Sequence, residues 1–126
     1  MSSRKIPRQY LPPSLTRADA KKQKESILSN TMRPRVKYKS RRSKWVRKFE
    51  DKYGKKITND SFIDKHIITR AGINKILDKG RGAYFSGGSR PNQTPESWAR
   101  ARLAAVIMGS PGARRVDKHI WDRFRR

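Results

Sequence analysis

The chain has 126 residues and a formal net charge of +23, from 33 Lys and Arg against 10 Asp and Glu, and hydrophobic residues make up only 33% of it. This length allows one domain, and the low apolar share predicts a small core confined to part of the chain. There is no cysteine, which excludes disulfides, thiol nucleophiles and thiolate metal sites. A charge this large opposes a compact monomer unless a partner supplies counter-charge, such as nucleic acid, an anionic membrane surface or an acidic protein lattice.

The positive charge is concentrated at the N-terminal end. The first 56 residues hold 19 Lys and Arg against 4 acidic residues, and the remaining 70 hold 14 against 6. We therefore predict two parts, a basic extended arm over residues 1–42 and a small, mainly α-helical domain over residues 43–126. Within the arm, Thr16 is placed to cap one short helix over residues 16–29.

A basic run with almost no acidic residue joins the two predicted parts. From Arg33 to Lys39 the cations alternate with Pro34, Val36 and Tyr38, so an extended chain would carry charge on one side and apolar groups on the other. We predict that this run and the helices beside it bind polyanions or acidic partner surfaces. The predicted binding residues are Lys21, Lys22, Arg33, Arg35, Lys37, Lys39, Arg41, Arg42, Lys44, Arg47 and Lys48.

The C-terminal part has helix caps and an apolar period of about 3.6 residues. The predicted helices are 44–53 between Ser43 and Gly54, a short one after Asn59 or Asp60, 70–79 between Thr69 and Gly80, 95–108 between Thr94 and Gly109, and a last one after Asp117. A turn is predicted from Gly109 to Gly112. The apolar faces predict a core of Trp45, Phe49, Tyr53, Ile73, Ile76, Leu77, Trp98, Val106, Ile107 and Trp121. The three tryptophans could instead stack nucleic-acid bases; the helical faces favour the core for Trp98 and Trp121, and Trp45, which follows Arg41 and Arg42, stays open between the two.

Residues 80–92 hold too many glycines for a regular helix, so we predict a loop with one short strand or hairpin near residues 83–86. Its glycines indicate sharp turns or the close approach of another backbone. The alternative, a phosphate-binding loop, lacks both the Gly-Lys-Ser/Thr ending of a Walker loop and the strand–GxGxxG–helix context of a dinucleotide site. The structural residues predicted for this loop and the next helix are Gly80, Gly82, Tyr84, Arg90, Trp98 and Arg102.

Two consequences follow for that loop and helix. Gly82→Val is expected to strain the backbone, and Trp98→Ala is expected to cost about 3–5 kcal/mol as a core deletion. Arg100 and Arg102, which lie near Trp98, are expected to bond loop carbonyls or the Asp117 carboxylate.

A catalytic alternative rests on residues 79–86, KGRGAYFS, which resemble the glycine–tyrosine–phenylalanine segment of ADP-ribosyltransferases. That family also needs an upstream histidine, for which His66 is available, and a downstream glutamate, for which Glu96 is available. The two histidines, His66 and His119, lack the adjacent carboxylates of a metal site, and no serine–histidine–acid arrangement is evident. We therefore predict a protein that is not an enzyme and that needs no metal or cofactor.

Two longer stretches carry a second resemblance. The first is GRGAY at 80–84 with GSRPNQTPESWARARLA at 88–104 and then Val116-Asp117, and the second is Tyr10-Leu11-Pro12 with Ser14-Leu15-Thr16 and Lys21-Lys22-Gln23. Together they resemble an uncharacterised basic domain of large DNA viruses of algae and protists and of some tailed phages. The resemblance implies a virus particle as the setting and brings no known activity with it.

These observations predict a structural virion protein, a minor capsid or internal particle component whose basic arm binds acidic subunit surfaces, packaged DNA or the inner membrane. The alternative is a DNA-binding or genome-packaging protein. The expected partners are thus capsid or other virion proteins, DNA or an anionic membrane surface, and not a small-molecule substrate. No apolar run approaches the roughly 18 residues that span a bilayer, and the N-terminus has no apolar signal region, so a virion location is expected without a membrane span or secretion.

Overall fold

A computed structural model describes residues 6, 10–36, 43–87, 89 and 91–126. Within these residues the chain forms seven α-helices: α1 Arg17–Leu28, α2 Lys44–Tyr53, α3 Asp60–His66, α4 Arg70–Gly87, α5 Pro95–Met108, α6 Pro111–Val116 and α7 Lys118–Phe124. The mainly helical fold predicted from the sequence is confirmed. No helix in this part of the chain is long and apolar enough to cross a membrane.

Helices α2 and α5 begin and end where the sequence predicts. Ser43 Oγ accepts a hydrogen bond from the N–H of the second helical residue at 3.2 Å, and Thr94 and Ser97 bond each other reciprocally at the start of α5. Each helix ends at a glycine with positive φ, 63° at Gly54 and 85° at Gly109. Glycine takes this backbone conformation without a steric penalty, so the two ends are fixed locally.

Helix α4 is longer than the sequence predicts. It continues from Arg70 through Gly87, so Gly80 does not end it, and the predicted loop with a strand near 83–86 is wrong over residues 80–87. A glycine inside a helix costs only about 1 kcal/mol relative to alanine, which tertiary packing can outweigh. The packing is extensive here, because α4 and α5 form the largest helix–helix contact among the described elements.

The apolar core lies between α2, α4 and α5, with α3 and α7 at its edges. Its cluster of buried residues begins at Val46 and ends at Ile120. The predicted core residues that are buried are Phe49, Ile73, Ile76, Leu77, Val106 and Ile107, whereas Trp45, Tyr53, Trp98 and Trp121 are only partly buried.

The buried face of α5 differs from the predicted one. It is formed by Ala99, Leu103 and Ala104 together with the predicted Val106, all without exposed surface. Trp98 is only partly buried, and among the described residues it is not one of those packed against the core cluster. Truncation of Trp98 therefore removes a half-buried ring, and the cost expected for a complete core deletion does not apply to it.

Two glycines allow neighbouring helices to touch the backbone of α4. A Cβ atom on Gly80 would lie 2.6 Å from Cα of Ala99 in α5, and one on Gly72 would lie 2.6 Å from Cβ of Phe124 in α7. The close approach predicted for the glycine-rich segment is thus confirmed at Gly80. A Cβ on Gly82 would meet nothing within 4 Å, so the expectation of strain in Gly82→Val is wrong.

The N-terminal segment at residues 10–36 packs on the C-terminal half of α4. The Tyr84 hydroxyl accepts the N–H of Arg33 at 2.7 Å and donates to the carbonyl of Gln93 at 2.9 Å. Asn92 bonds both backbone groups of Val36, at 2.7 and 3.0 Å. The N-terminal segment therefore lies against the helical domain. The division into an arm over residues 1–42 and a domain over residues 43–126, with the core in the second part, stays a prediction.

Helix α1 contributes to the same contact. Gln23 and Ile27 have no exposed surface, and the Gln23 amide donates to the carbonyls of Tyr10 and Ser89 at 3.0 and 2.8 Å. Because these carbonyls come from two loops, one side chain links the start of the described segment to the connection between α4 and α5.

Candidate functional site

A groove of about 760 Å³ lies between α2, α5 and α6. Two aromatic and three basic side chains line it, and the remaining lining is mostly small. The lining residues are Trp45, Trp98, Lys44, Arg47, Arg102, Ser43, Ala101, Gly112, Ala113 and Val116. None of these described residues is acidic. We call this site the tryptophan groove.

The helices bring the two tryptophans together. Trp45 is in the first turn of α2 and Trp98 is in the first turn of α5, and the two helices pack against each other. Ala101 and Ala113 add little side-chain volume to the same lining. Trp98 also packs edge to face on Tyr10, with ring centroids 5.8 Å apart, which places the N-terminal segment next to the groove.

Positive charge lies directly beside the Trp45 indole. The ammonium groups of Lys44 and Lys48 are 5.0 and 4.8 Å from its ring centroid. This is the range of a cation–π interaction, so both lysines are held at the ring by attraction to its π face. The arrangement combines an aromatic platform with cations that can bind an anion next to it.

The same combination continues from α2 to α3. Lys52 lies 5.2 Å from the Tyr53 ring centroid, and Lys55 lies 6.0 Å from that of Phe62. The Phe62 ring packs on Tyr53 on one side, with ring centroids 5.7 Å apart, and on His66 on the other, with ring centroids 5.0 Å apart. Lys44, Lys48, Lys52 and Lys55, with the rings of Trp45, Tyr53 and Phe62, form what we call the basic ridge.

The predicted polyanion-binding residues fall into three groups. Lys21, Lys22, Arg35, Lys44, Arg47 and Lys48 are exposed. Arg33 is only 6% exposed, and its guanidinium lies 4.8 Å from the Tyr84 ring centroid, so it lies inside the protein rather than facing a partner. Lys37, Lys39, Arg41 and Arg42 lie outside the described residues. The chain is described again from Ser43, which lines the tryptophan groove.

Arg102 binds Asp117 as expected. Its Nε and Nη2 donate to the two carboxylate oxygens, each at 2.8 Å, and the Asp117 side chain has no exposed surface. Lys79 adds a third contact at 3.7 Å. Arg100 instead donates to both Asp60 oxygens at 2.5 and 3.2 Å, which joins α5 to α3.

The predicted structural residues of the glycine-rich segment have separate places. Gly80 lies against Ala99 of α5, and the Tyr84 hydroxyl bonds Arg33 of the N-terminal segment and Gln93. Gly82 faces open space. Trp98 lines the groove. Arg90 lies outside the described residues.

Most acidic side chains are paired within the fold. Those in ion pairs are Asp60, Asp64, Asp78, Glu96, Asp117 and Asp122. The hydrogen bond from Arg81 lowers the pKa of Glu96, and the one from Lys118 lowers the pKa of Asp122. The carboxylates of Glu96 and Asp122 therefore remain ionised near neutral pH.

The family of the chain follows from a comparison of its sequence. Residues 13–120 match the family model of DUF5824, a family of unknown function. The chain belongs to this family. No curated protein and no solved structure matches it significantly. The DUF5824 match extends from before α1 into α7, so it includes the tryptophan groove, the basic ridge and most of the N-terminal segment.

The residues of the transferase alternative lie in separate contacts of this DUF5824 chain. Glu96 binds Arg81, and His66 packs on Phe62. Tyr84 is fully buried within helix α4, with its hydroxyl bonded on both sides. Among the residues with described positions, no hydrogen bond or ion pair joins His66 to Glu96, and no cluster of three potential metal ligands occurs.

Sequence reasoning missed one wall of the groove. Residues 109–112 were expected to form a turn, but α6 begins at Pro111 and supplies three lining residues. Ser110 followed by Pro111 is the same start signal as Thr94 followed by Pro95, because proline suits the first position of a helix. This DUF5824 helix could therefore have been found from the sequence.

Proposed function

We propose that this DUF5824 protein is a non-enzymatic nucleic-acid-binding protein that holds a single-stranded segment in the tryptophan groove. One observation carries the proposal: Trp45 and Trp98 line the same groove as Lys44, Arg47 and Arg102. Single-strand-binding proteins combine aromatic platforms, on which bases stack, with a basic surface that follows the backbone. Such binding tolerates many sequences and depends strongly on salt.

The groove favours nucleic acid over the other expected partners. A single strand presents planar bases beside a phosphate backbone, which matches an indole that has ammonium groups at about 5 Å. A membrane surface or an acidic protein would use the positive charge of Lys44 and Arg47, but neither supplies a series of flat rings for Trp45 and Trp98. The basic run that precedes Ser43 in the sequence provides further phosphate contacts.

The test measures the affinity for fluorescently labelled oligo(dT) by anisotropy over a range of salt concentrations. We expect Trp45→Ala and Trp98→Ala each to weaken binding about fivefold or more, because stacking contributes about 1–3 kcal/mol per base. Their salt dependence should stay unchanged, since no cation is lost. Lys44→Gln with Arg47→Gln should lower the log–log salt slope by about 1.4, at about 0.7 for each neutralised phosphate.

Trp121→Ala is the matched control. Trp121 is also partly buried and has the Arg114 guanidinium 4.4 Å from its ring centroid, but it does not line the groove. It should bind oligo(dT) like the unmodified protein. If folded Trp45→Ala and Trp98→Ala also bind without loss, the groove is not the binding site and the proposal is wrong.

We propose further that the protein acts inside a virus particle, as a minor capsid or internal component that lies on the packaged genome. The resemblance in residues 80–104 and the net charge of +23 support this setting, because a genome supplies the counter-charge. Stepwise disruption of purified particles should leave the protein with the nucleic-acid fraction. Release with the shell or with the inner membrane would favour those partners instead, and absence from the particles would contradict a virion role.

A further inference from the structure

A second pocket, of about 440 Å³, lies between α4 and α7. Its lining residues are Lys75, Asp78, Lys79, His119, Ile120, Arg123 and Phe124. None of them lines the tryptophan groove, so this α4–α7 pocket is a separate site. It contains three permanent cations, one histidine and one acid, above the apolar side chains of Ile120 and Phe124.

The basic residues of this pocket form two facing pairs. Lys75 and Lys79 are four residues apart on α4, and His119 and Arg123 are four residues apart on α7. Residues with this spacing share one face of a helix. Each helix therefore presents basic groups to the same space.

The fold holds these like charges together. A Cβ on Gly72 would lie 2.6 Å from Cβ of Phe124, so α7 crosses α4 where it has no side chain. The Phe124 carbonyl also accepts the N–H of Thr69 at 3.0 Å. Because this contact keeps the helices from separating, repulsion among Lys75, Lys79 and Arg123 favours the binding of an anion between them.

The nearby carboxylates leave the pocket with net positive charge. Asp78 is bonded at 2.8 Å by Arg81, which lies outside the lining. Asp117 holds Arg102 by two bonds and is 3.7 Å from Lys79, so its single charge is shared between two cations. Among the described residues, no ion pair joins a carboxylate to Lys75 or Arg123, and both side chains are exposed.

We propose that the α4–α7 pocket is a phosphate-binding site. Ammonium and guanidinium groups donate hydrogen bonds without accepting any, and charge-assisted bonds of this kind are the strong ones for a phosphate. The phosphate can come from a free phosphate compound or from a nucleic-acid backbone. In the second case the pocket adds phosphate contacts to those made at the tryptophan groove, and this inference then rests on the nucleic-acid binding proposed above.

Calorimetric titration with inorganic pyrophosphate tests the site itself. Lys75→Gln with Arg123→Gln should weaken binding about tenfold or more, since two charge-assisted bonds are lost. The control removes the same charge at two other exposed positions, Lys56→Gln with Lys65→Gln, and should change the affinity by less than about twofold. Equal loss in both double variants, or no binding by the unmodified protein, would overturn the proposal.

Oligo(dT) binding distinguishes the two sources of phosphate. If the backbone occupies the pocket, Lys75→Gln with Arg123→Gln also lowers the salt slope for oligo(dT) by about 1.4, whereas a free compound leaves that slope unchanged. If the tryptophan groove does not bind nucleic acid, Trp45→Ala and Trp98→Ala bind oligo(dT) normally. That result is independent of the pyrophosphate titration, which tests the α4–α7 pocket alone. The unfolding temperature of each variant is measured to confirm that it is folded.

Discussion

Gly80 and Gly82 are two residues apart in one helix, yet their surroundings differ. A Cβ on Gly80 would lie 2.6 Å from Cα and 3.0 Å from Cβ of Ala99, whereas a Cβ on Gly82 would face open space. Both glycines are helical and neither has a positive φ. An added methyl group therefore acts at these two positions through packing and helix propensity alone.

We expect Gly80→Ala and Gly82→Ala to change stability in opposite directions. Gly80→Ala should lower the free energy of unfolding by about 1–3 kcal/mol, because the methyl group forces α5 away from α4. Gly82→Ala should raise it by about 0.8–1 kcal/mol, because alanine is the better helix former. Urea denaturation measures both, and shifts of the same sign and size would contradict the close contact at Gly80.

Single residues in long-range contacts were the hardest to predict. Arg33 lies in a basic run, so its sequence context indicates a surface cation, but its backbone N–H bonds Tyr84, 51 positions away. Caps and apolar periods report on neighbours within a few residues and carry no information on such a contact. The bond between Arg102 and Asp117 could be anticipated because the two carry opposite charge and are only 15 positions apart in the sequence.

At the scale of helices, the bounds of α2 and α5 were predictable because polar caps and glycines fix them locally. The end of α4 was not. Gly80 reads as a stop signal, but the methyl-free position is needed where Ala99 packs, and burial of Tyr84 one turn later holds the helix together. Glycine is needed at position 80, but it is needed for the close packing of α5 on α4 and not to end α4.

The buried carboxylate of Asp117 joins several helices, which leads to a second prediction. It lies between α6 and α7 and binds Arg102 of α5 and Lys79 of α4. Asp117→Asn should lower the free energy of unfolding by about 3 kcal/mol, because Arg102 loses its partner within the protein. Thermal unfolding measures the loss.

Asp122→Asn is the control for that variant. Its carboxylate pairs with Lys118 on the exposed side of α7 and is half exposed. Exposed pairs contribute little to stability. If both substitutions lower the unfolding temperature equally, the contact of Asp117 with α4 and α5 does not stabilise the fold.

At the scale of the whole molecule, the core cluster lies between Val46 and Ile120. We expect a chain reduced to residues 43–126 to unfold cooperatively but at a lower temperature than the full chain. The loss arises because Tyr84 and Asn92 no longer bond the N-terminal segment, and buried groups without partners are costly. Differential scanning calorimetry compares the two chains, and a featureless melt of the shorter one would show that the core needs residues 1–42.

Net charge and helical class could be read from the sequence, whereas the groove could not. The helical period assigned Trp98 to the core and left Trp45 open between the core and a base-stacking surface. A period separates one face of a helix from the other but does not show how far a neighbouring helix covers that face. The groove that the two tryptophans share depends on how α2 and α5 cross and on the small residues of α6. Those are properties of the assembled helices.

The hydrogen bonds of the N-terminal segment also set the order in which the chain can fold. Helices α4 and α5 are neighbours in sequence, and such local contacts form early, whereas Gln23 and Ser89 are 66 positions apart and close a long loop. On a ribosome that adds about 5–20 residues each second, Arg33 is added roughly 3–10 s before Tyr84, and Gln23 roughly 3–13 s before Ser89. Gln23 and Arg33, which end up buried against α4, are thus among the side chains that stay uncovered longest while the protein is made.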